Sequence, residues 1–107
     1  MNIPQLSPAA LQQWLAEGRP LTLLDVREDD EVAICALSGH VHIPMNLIPL
    51  RHNELPDDQP IVVYCHHGMR SLYSAMYLAD AGFEEVYNLQ GGIDAWSVEI
   101  DTDMPRY

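Results

Sequence analysis

The stretch that decides the fold is Ile61-Val62-Val63-Tyr64, which Cys65-His66-His67-Gly68-Met69-Arg70 follows directly. Four consecutive strand-forming residues predict a strand buried on both faces of a sheet. From Ser71 to about Ala81, apolar side chains recur at helical spacing, and Gly82 suits the end of that helix. Val86-Tyr87-Asn88-Leu89 predicts the next strand. This order predicts a right-handed parallel crossover, with residues 65–70 at the carboxyl end of a strand, where such sheets hold their ligands.

The alternation of strands and helices continues on both sides of this unit. Ser7 and Gly18 suit the two ends of a first helix, and Leu21 to Val26 forms a mostly apolar run typical of a buried strand. The acidic run Glu28-Asp29-Asp30-Glu31 predicts the solvated start of a short second helix, because acids complement the helix dipole there. Further predicted elements are a short extended piece at 41–44, a short helix from Asn46 to about His52, a turn at 56–60 and a short last helix after Gly91-Gly92.

The whole pattern predicts an α/β fold in which helices cover both faces of a parallel sheet. We expect a single domain over residues 1–107, with its core at about 7–98 and an irregular tail at 99–107.

Composition and charge narrow the class of protein. The 107 residues carry a formal charge of −11, and all five basic residues are arginine. So acidic a chain is unsuited to binding nucleic acid on its own. No apolar run approaches the roughly 18 residues needed to cross a bilayer, and the N-terminus shows no signal peptide. We expect a cytoplasmic protein that does not bind membranes, monomeric by default, without a structural disulfide between Cys35 and Cys65.

Cys65 is the residue best placed for chemistry. A tight loop that turns into a helix points successive backbone N–H groups at one atom, and Gly68 permits the backbone conformation that this requires. The helix terminus favours negative charge by about 0.3–1 kcal/mol, and Arg70 can add an opposite charge nearby. We expect these features to favour a nucleophilic thiolate at Cys65. A buried, inert cysteine is the alternative interpretation of the same loop.

The other candidate nucleophiles and ligands carry weaker signals. Cys35 would serve as a resolving thiol if it lay near Cys65, although a small buried apolar side chain of the second helix is the simpler interpretation. Three consecutive side chains, Cys65, His66 and His67, rarely reach one ion, and no second pair has zinc-site spacing, so no metal is expected. We expect His66 and His67 to face solvent around the pocket mouth, with a supporting role in donor binding left open.

Four motifs in order resemble those of the rhodanese-like sulfurtransferases. They are Leu23-Leu24-Asp25-Val26-Arg27, Gly39-His40-Val41-His42-Ile43-Pro44 in a somewhat rearranged form, Ile61 to Ser71, and Gly91-Gly92-Ile93-Asp94-Ala95-Trp96. The resemblance runs from Ser7 to about Asp101, which is nearly the whole chain. Each motif is modest alone, whereas four in the right order are highly specific.

This resemblance implies a five-stranded parallel sheet with helices on both faces. It implies that Cys65 is catalytic and holds sulfur as a persulfide, cradled by the substrate-binding loop of His66, His67, Gly68, Met69 and Arg70. In that scheme Arg70 orients an anionic donor or holds the loop, and Asp25 and Arg27 are structural charges near the site. The implied enzyme moves sulfane sulfur from a small donor, thiosulfate or a persulfide, to cyanide, a thiol or a protein, without metal or organic cofactor.

Two other functions stay open on the sequence alone. Cysteine phosphatases and arsenate reductases of related fold wrap a tetrahedral oxyanion between a Cys and an Arg that are separated by five residues. Only four residues separate Cys65 from Arg70, so the loop suits a single sulfur atom better than a phosphate. A non-catalytic binding or regulatory module is the second alternative, and the presence of Cys65 argues against it.

Overall fold

Five short strands and five helices make up the fold. The computed structural model describes residues 2–107. The strands are β1 (Gln5–Leu6), β2 (Thr22–Asp25), β3 (Val41–His42), β4 (Ile61–Tyr64) and β5 (Val86–Leu89). The helices are α1 (Pro8–Ala16), α2 (Asp29–Ile34), α3 (Ile48–Arg51), α4 (Met69–Asp80) and α5 (Gly92–Glu99), with single 3₁₀ turns at Met45–Leu47 and His52–Glu54 on either side of α3.

All five strands join one parallel sheet in the order β1-β5-β4-β2-β3. The predicted five-stranded parallel sheet is therefore confirmed. The adjacent strands β2 and β4 end at the same level of the sheet, because their last residues, Asp25 and Tyr64, lie opposite each other. The segments that follow these two strands therefore leave the sheet side by side, at the edge where parallel sheets place ligands.

Helices cover both faces of the sheet, and each face has its own apolar core. Along β4 the side chains alternate between the two cores, as the two-residue period of a strand requires. Ile61, Val63 and Cys65 pack on one face with Ala75 and Leu78 of α4. The other face holds Val62 and Tyr64 together with Leu11 of α1 and Ile93 and Trp96 of α5. Cys65 therefore continues the buried alternation of the central strand.

Most predicted elements are present, and the differences have local causes. Ser7 caps α1 by accepting a hydrogen bond from the Ala10 amide at 3.1 Å. Helix α4 begins two residues before the predicted Ser71, because Gly68 adopts the left-handed conformation (φ +113°) and ends the loop there. The sequence did not reveal β1, which is only two residues long and pairs solely with β5. No helix within residues 2–107 has the length and hydrophobicity to cross a membrane.

Candidate functional site

Cys65 lies between β4 and α4, at the edge of the sheet where the sequence places it. Its side chain is almost completely enclosed, with 1% of the residue exposed. The α4 helix starts four residues later, so its N-terminal amides lie close to the sulfur. Burial alone would make this thiol inert, and its reactivity therefore depends on which polar groups surround the sulfur atom.

Two backbone amides point at the Cys65 sulfur. The Gly68 N–H donates to Sγ at 3.1 Å and the Ser71 N–H at 3.4 Å, and the Ser71 hydroxyl lies 3.3 Å from Sγ. This is an anion-stabilising arrangement at a helix N-terminus, because both amides present partial positive charge to one atom. The predicted cradle covered residues 66–70, and of these amides only that of Gly68 bonds the sulfur. Ser71, the second donor, was outside the predicted set.

The Ser71 hydroxyl is held by a buried amide on the neighbouring strand. It donates to Asn88 Oδ1 at 2.5 Å, and Asn88 Nδ2 donates to the Gly68 carbonyl at 3.0 Å and to Gln5 Oε1 at 3.2 Å. Asn88 is 2% exposed, so these bonds are protected from water. Asn88 thereby holds the Gly68 carbonyl and the Ser71 side chain, and so fixes the two residues whose backbone amides donate to the sulfur.

The first turn of α5 holds the other side of the loop. The Ile93 N–H donates to the Cys65 carbonyl at 2.9 Å, and the Asp94 N–H donates to the His66 carbonyl at 3.0 Å. Gly92 makes this approach possible, since a side-chain carbon at its position would collide with the His66 carbonyl. The motif Gly91 to Trp96 therefore positions the loop through backbone hydrogen bonds. The absence of a side chain at Gly92 allows the close approach that these bonds need.

Arg70, at the end of the loop, forms a two-pronged ion pair with Glu31 of α2. Its Nη1 and Nη2 atoms donate to the two carboxylate oxygens at 2.6 and 2.8 Å. These bonds lower the pKa of Glu31 to about 2. The sequence interpretation of Glu31 as part of a solvated helix start was wrong for this residue, because its side chain is only 16% exposed. The helix start itself was correct, since α2 begins at Asp29.

A buried ion pair between Arg27 and Asp25 lies next to the site. Arg27 and Asp25 are both completely buried, and the Arg27 Nη2 atom donates to Asp25 Oδ2 at 2.7 Å. A second bond runs from Arg27 Nε to Asp25 Oδ1 at 3.0 Å. Arg27 also donates to the Cys35 carbonyl at 2.6 Å. This network joins β2 to the end of α2.

The C-terminal tail folds over the same region. The Tyr107 hydroxyl donates to Glu31 Oε2 at 2.8 Å and accepts a hydrogen bond from Arg27 at 2.9 Å. The Tyr107 ring stacks on His66 with 3.9 Å between ring centroids, and His66 stacks on His67 at 4.0 Å. The tail predicted to be irregular over 99–107 lacks helix and strand from residue 100 onward, while Glu99 is the last residue of α5. This tail contacts the site closely. His66 is accordingly half-buried, and burial, with the adjacent His67, lowers its pKa.

The remaining candidates lie apart from the sulfur. Cys35 directly follows α2, is half-buried and packs on the face of the sheet opposite to Cys65. This placement favours its apolar interpretation over a resolving thiol. His67 is exposed and lies 3.9 Å from Asp94. Within residues 2–107, no three His, Cys, Asp or Glu side chains converge as a metal site would require.

Four residues of the site were not recognised in the sequence: Glu31, Ser71, Asn88 and Tyr107. A signal existed for Asn88, which is a lone amide in an otherwise apolar strand and so needs buried partners. Ser71 carried a weaker signal as a polar residue at a helix start. Glu31 and Tyr107 carried none, because their partners are 39 and 76 or more residues away in sequence.

Fold and site together define a class of protein: an open parallel α/β sheet with one cysteine sulfur held by amides between a central strand and a helix. The model of the rhodanese-like domain matches residues 7–99. A sulfurtransferase of Allochromatium vinosum is 37% identical over 95 residues, which are 89% of each chain. The thiosulfate sulfurtransferase GlpE of Coxiella burnetii is 31% identical over 86% of this chain and 87% of its own. The crystal structure of a rhodanese-like domain protein from Staphylococcus aureus superposes with a TM-score of 0.83 at 30% identity, over 88% of this chain and 91% of that one.

The chain belongs to the rhodanese-like domain family. The resemblance read from its four motifs is thereby confirmed.

Proposed function

We propose that the chain is a sulfurtransferase that carries sulfane sulfur as a persulfide on Cys65. The observation that carries this proposal is the pair of amides, from Gly68 and Ser71, directed at one enclosed sulfur atom. Such a pair stabilises the thiolate before transfer and the negatively charged sulfur after it. The names of two relatives, a sulfurtransferase and a thiosulfate sulfurtransferase, support sulfur transfer as the activity.

The cycle consists of two displacements at sulfur. The Cys65 thiolate attacks the outer sulfur of the donor, the donor's S–S bond breaks, and its remaining part leaves with the electron pair: sulfite from thiosulfate, or a thiolate from a persulfide. An acceptor nucleophile such as cyanide, a thiol or a protein thiolate then attacks the outer sulfur of Cys65–S–S⁻ and restores the thiolate. This is covalent catalysis by an activated nucleophile, and neither step requires a metal or an organic cofactor.

The enclosure of Cys65 limits how a donor reacts. Because the residue is 1% exposed, only a slender terminal sulfur reaches Sγ, and the rest of the donor stays outside the loop. A loop this tight favours transfer of one atom over transfer of a tetrahedral phosphoryl group. Sulfur transfer is therefore the function that the geometry supports best.

The test is sulfur loading of the intact protein. After incubation with thiosulfate or cysteine persulfide, we expect the mass to rise by one sulfur atom, located on Cys65 by peptide mapping and removed by cyanide. The Cys65→Ser variant should lose this loading completely, while Cys35→Ser, which changes the only other thiol in the sequence, should retain it. Absence of loading with both donors, or loading confined to Cys35, would refute the proposal.

A further inference from the structure

Every arginine of this chain is paired with a carboxylate. The five pairs are Arg19–Glu17, Arg27–Asp25, Arg51–Glu54, Arg70–Glu31 and Arg106–Asp94, with closest N–O distances between 2.6 and 3.2 Å. These five residues are all the bases of the sequence, which has no lysine. Within residues 2–107, therefore, no arginine or lysine side chain is left to attract a free anion.

At the site itself the charges balance. Three guanidinium groups (Arg27, Arg70 and Arg106) face three carboxylates (Asp25, Glu31 and Asp94). Burial and the adjacent His67 lower the pKa of His66 and thereby favour its neutral form. The protein as a whole carries −11. A dianion approaching the Cys65 loop thus meets only the partial charges of the loop amides, and no unpaired guanidinium, to offset the long-range repulsion.

Of these ion pairs, Arg70–Glu31 at the end of the loop has the greatest effect on the binding of an anionic donor. Both terminal nitrogens of Arg70 donate to Glu31, so the fork that would bind a sulfonate is already occupied by a carboxylate. The Tyr107 hydroxyl donates to Glu31 and, through its contact with Arg27, ties the pair to the buried network. A competing anion would have to break several charge-assisted hydrogen bonds at once.

We propose that Glu31 is a specificity-determining residue, which disfavours dianionic donors such as thiosulfate and makes persulfides of low charge the preferred substrate class. The inference rests on the proposed sulfur transfer. In the favoured step the Cys65 thiolate attacks the outer sulfur of R–S–SH, the S–S bond breaks, and RS⁻ leaves with the electron pair, so Cys65–S–SH forms. The donor carries at most one negative charge on its sulfur pair, and it needs no vacant guanidinium.

The experiment compares sulfur loading rates with thiosulfate and with cysteine persulfide in the wild type and in Glu31→Gln. Glutamine keeps the role of residue 31 in the capping box of α2 but removes the charge that neutralises Arg70. We expect the thiosulfate-to-persulfide rate ratio to rise by about tenfold, the effect of roughly one uncompensated charge near the reacting atoms. The matched control is Glu54→Gln, which breaks the same kind of pair away from the loop and should leave the ratio unchanged.

Two further measurements keep the proposal testable if Glu31→Gln folds poorly. Tyr107→Phe removes the hydroxyl that holds Glu31, so the ratio should rise in the same direction by a smaller factor. In the wild type, thiosulfate loading should accelerate as salt screens the repulsion, and more steeply than loading by cysteine persulfide. An unchanged ratio in both variants would overturn the specificity role of Glu31 while leaving sulfur transfer intact. Failure of the wild type to load from either donor would instead refute the proposed function.

Discussion

The segments that follow β2 and β4 leave the same edge of the sheet side by side, yet they use their polar groups in opposite ways. At the end of β2, the Asp25 and Arg27 side chains are fully buried and form an ion pair. After β4, the side chain at the corresponding turn is the Cys65 thiol, and the groups that face it are backbone amides. The segment at β2 thus forms a buried ion pair with no free donor, whereas the segment after β4 directs its backbone donors at a single sulfur atom.

The difference shows how a small domain separates rigidity from reactivity. Two opposite charges in contact cancel and resist displacement, which makes a firm base but leaves nothing for a ligand. Amides at a helix start carry only partial charge, so they stabilise an anion without a permanent counter-ion. Changes to the buried pair Asp25–Arg27 should therefore affect mainly folding, and changes to the groups that face Cys65 mainly chemistry.

The largest effect on stability should come from breaking the ionic support. Arg27→Met leaves Asp25 as a buried, unpaired charge and should lower the free energy of unfolding by about 3–5 kcal/mol. Urea denaturation of the wild type and the variant measures this loss. The double variant Asp25→Asn with Arg27→Met should recover part of it, because no buried charge is left alone. A loss below about 1 kcal/mol would contradict the view of this pair as structural, because surface pairs contribute no more than that.

A smaller effect on stability, with a larger one on chemistry, should follow Ser71→Ala. The substitution removes the hydroxyl beside the sulfur and leaves Asn88 Oδ1 without its donor, at a cost of about 1–3 kcal/mol. At a temperature where the wild type and Ser71→Ala are both fully folded, sulfur loading should still be slower in the variant. The loss of stability then does not account for the lower rate. Ser74→Ala is the matched control, because Ser74 is also buried in α4 but donates to the Arg70 carbonyl. Equal loading rates in the two variants would exclude a role of Ser71 at the sulfur.

The smallest effect is a pH dependence of the link between the two segments. In the folded state the pKa of Glu31 is lowered from 4.5 to about 2 by Arg70. The pair therefore contributes its full stability above pH 4.5, and this contribution is lost as the pH falls toward 2. The stability difference between wild type and Glu31→Gln should shrink over that interval, as followed by urea denaturation at a series of pH values. A difference that stays constant from pH 6 to pH 2 would show that charge plays no part.

Short-range patterns predicted most of this fold, since a strand and a helix each leave a periodic trace in neighbouring residues. The run Ile61–Tyr64 and the helix after it placed Cys65 at the edge of the sheet. The two-residue strand β1 leaves too short a trace and forms only because β5 provides a partner. Its prediction therefore needs the rest of the sheet.

The candidate site was predicted only where its chemistry lies within one segment. Cys65 and Gly68 belong to a single loop, and their spacing predicted that the Gly68 amide would lie close to the sulfur. The Glu31 carboxylate looked solvated, because the residues around it are acidic and its partner Arg70 approaches only through the tertiary fold. Tyr107 gave no signal at all, since nothing near it in the tail indicates a stacking partner such as His66.

The hydrogen bonds from α5 to the Cys65 loop have a consequence for the state of that loop during synthesis. The amides of Ile93 and Asp94 hold the carbonyls of Cys65 and His66, and they are synthesised almost thirty residues after the cysteine. While the nascent chain is still emerging from the ribosome, the thiol therefore lacks part of the framework that shapes its loop. We expect the thiolate form of Cys65 to be stabilised less at that stage than in the folded domain.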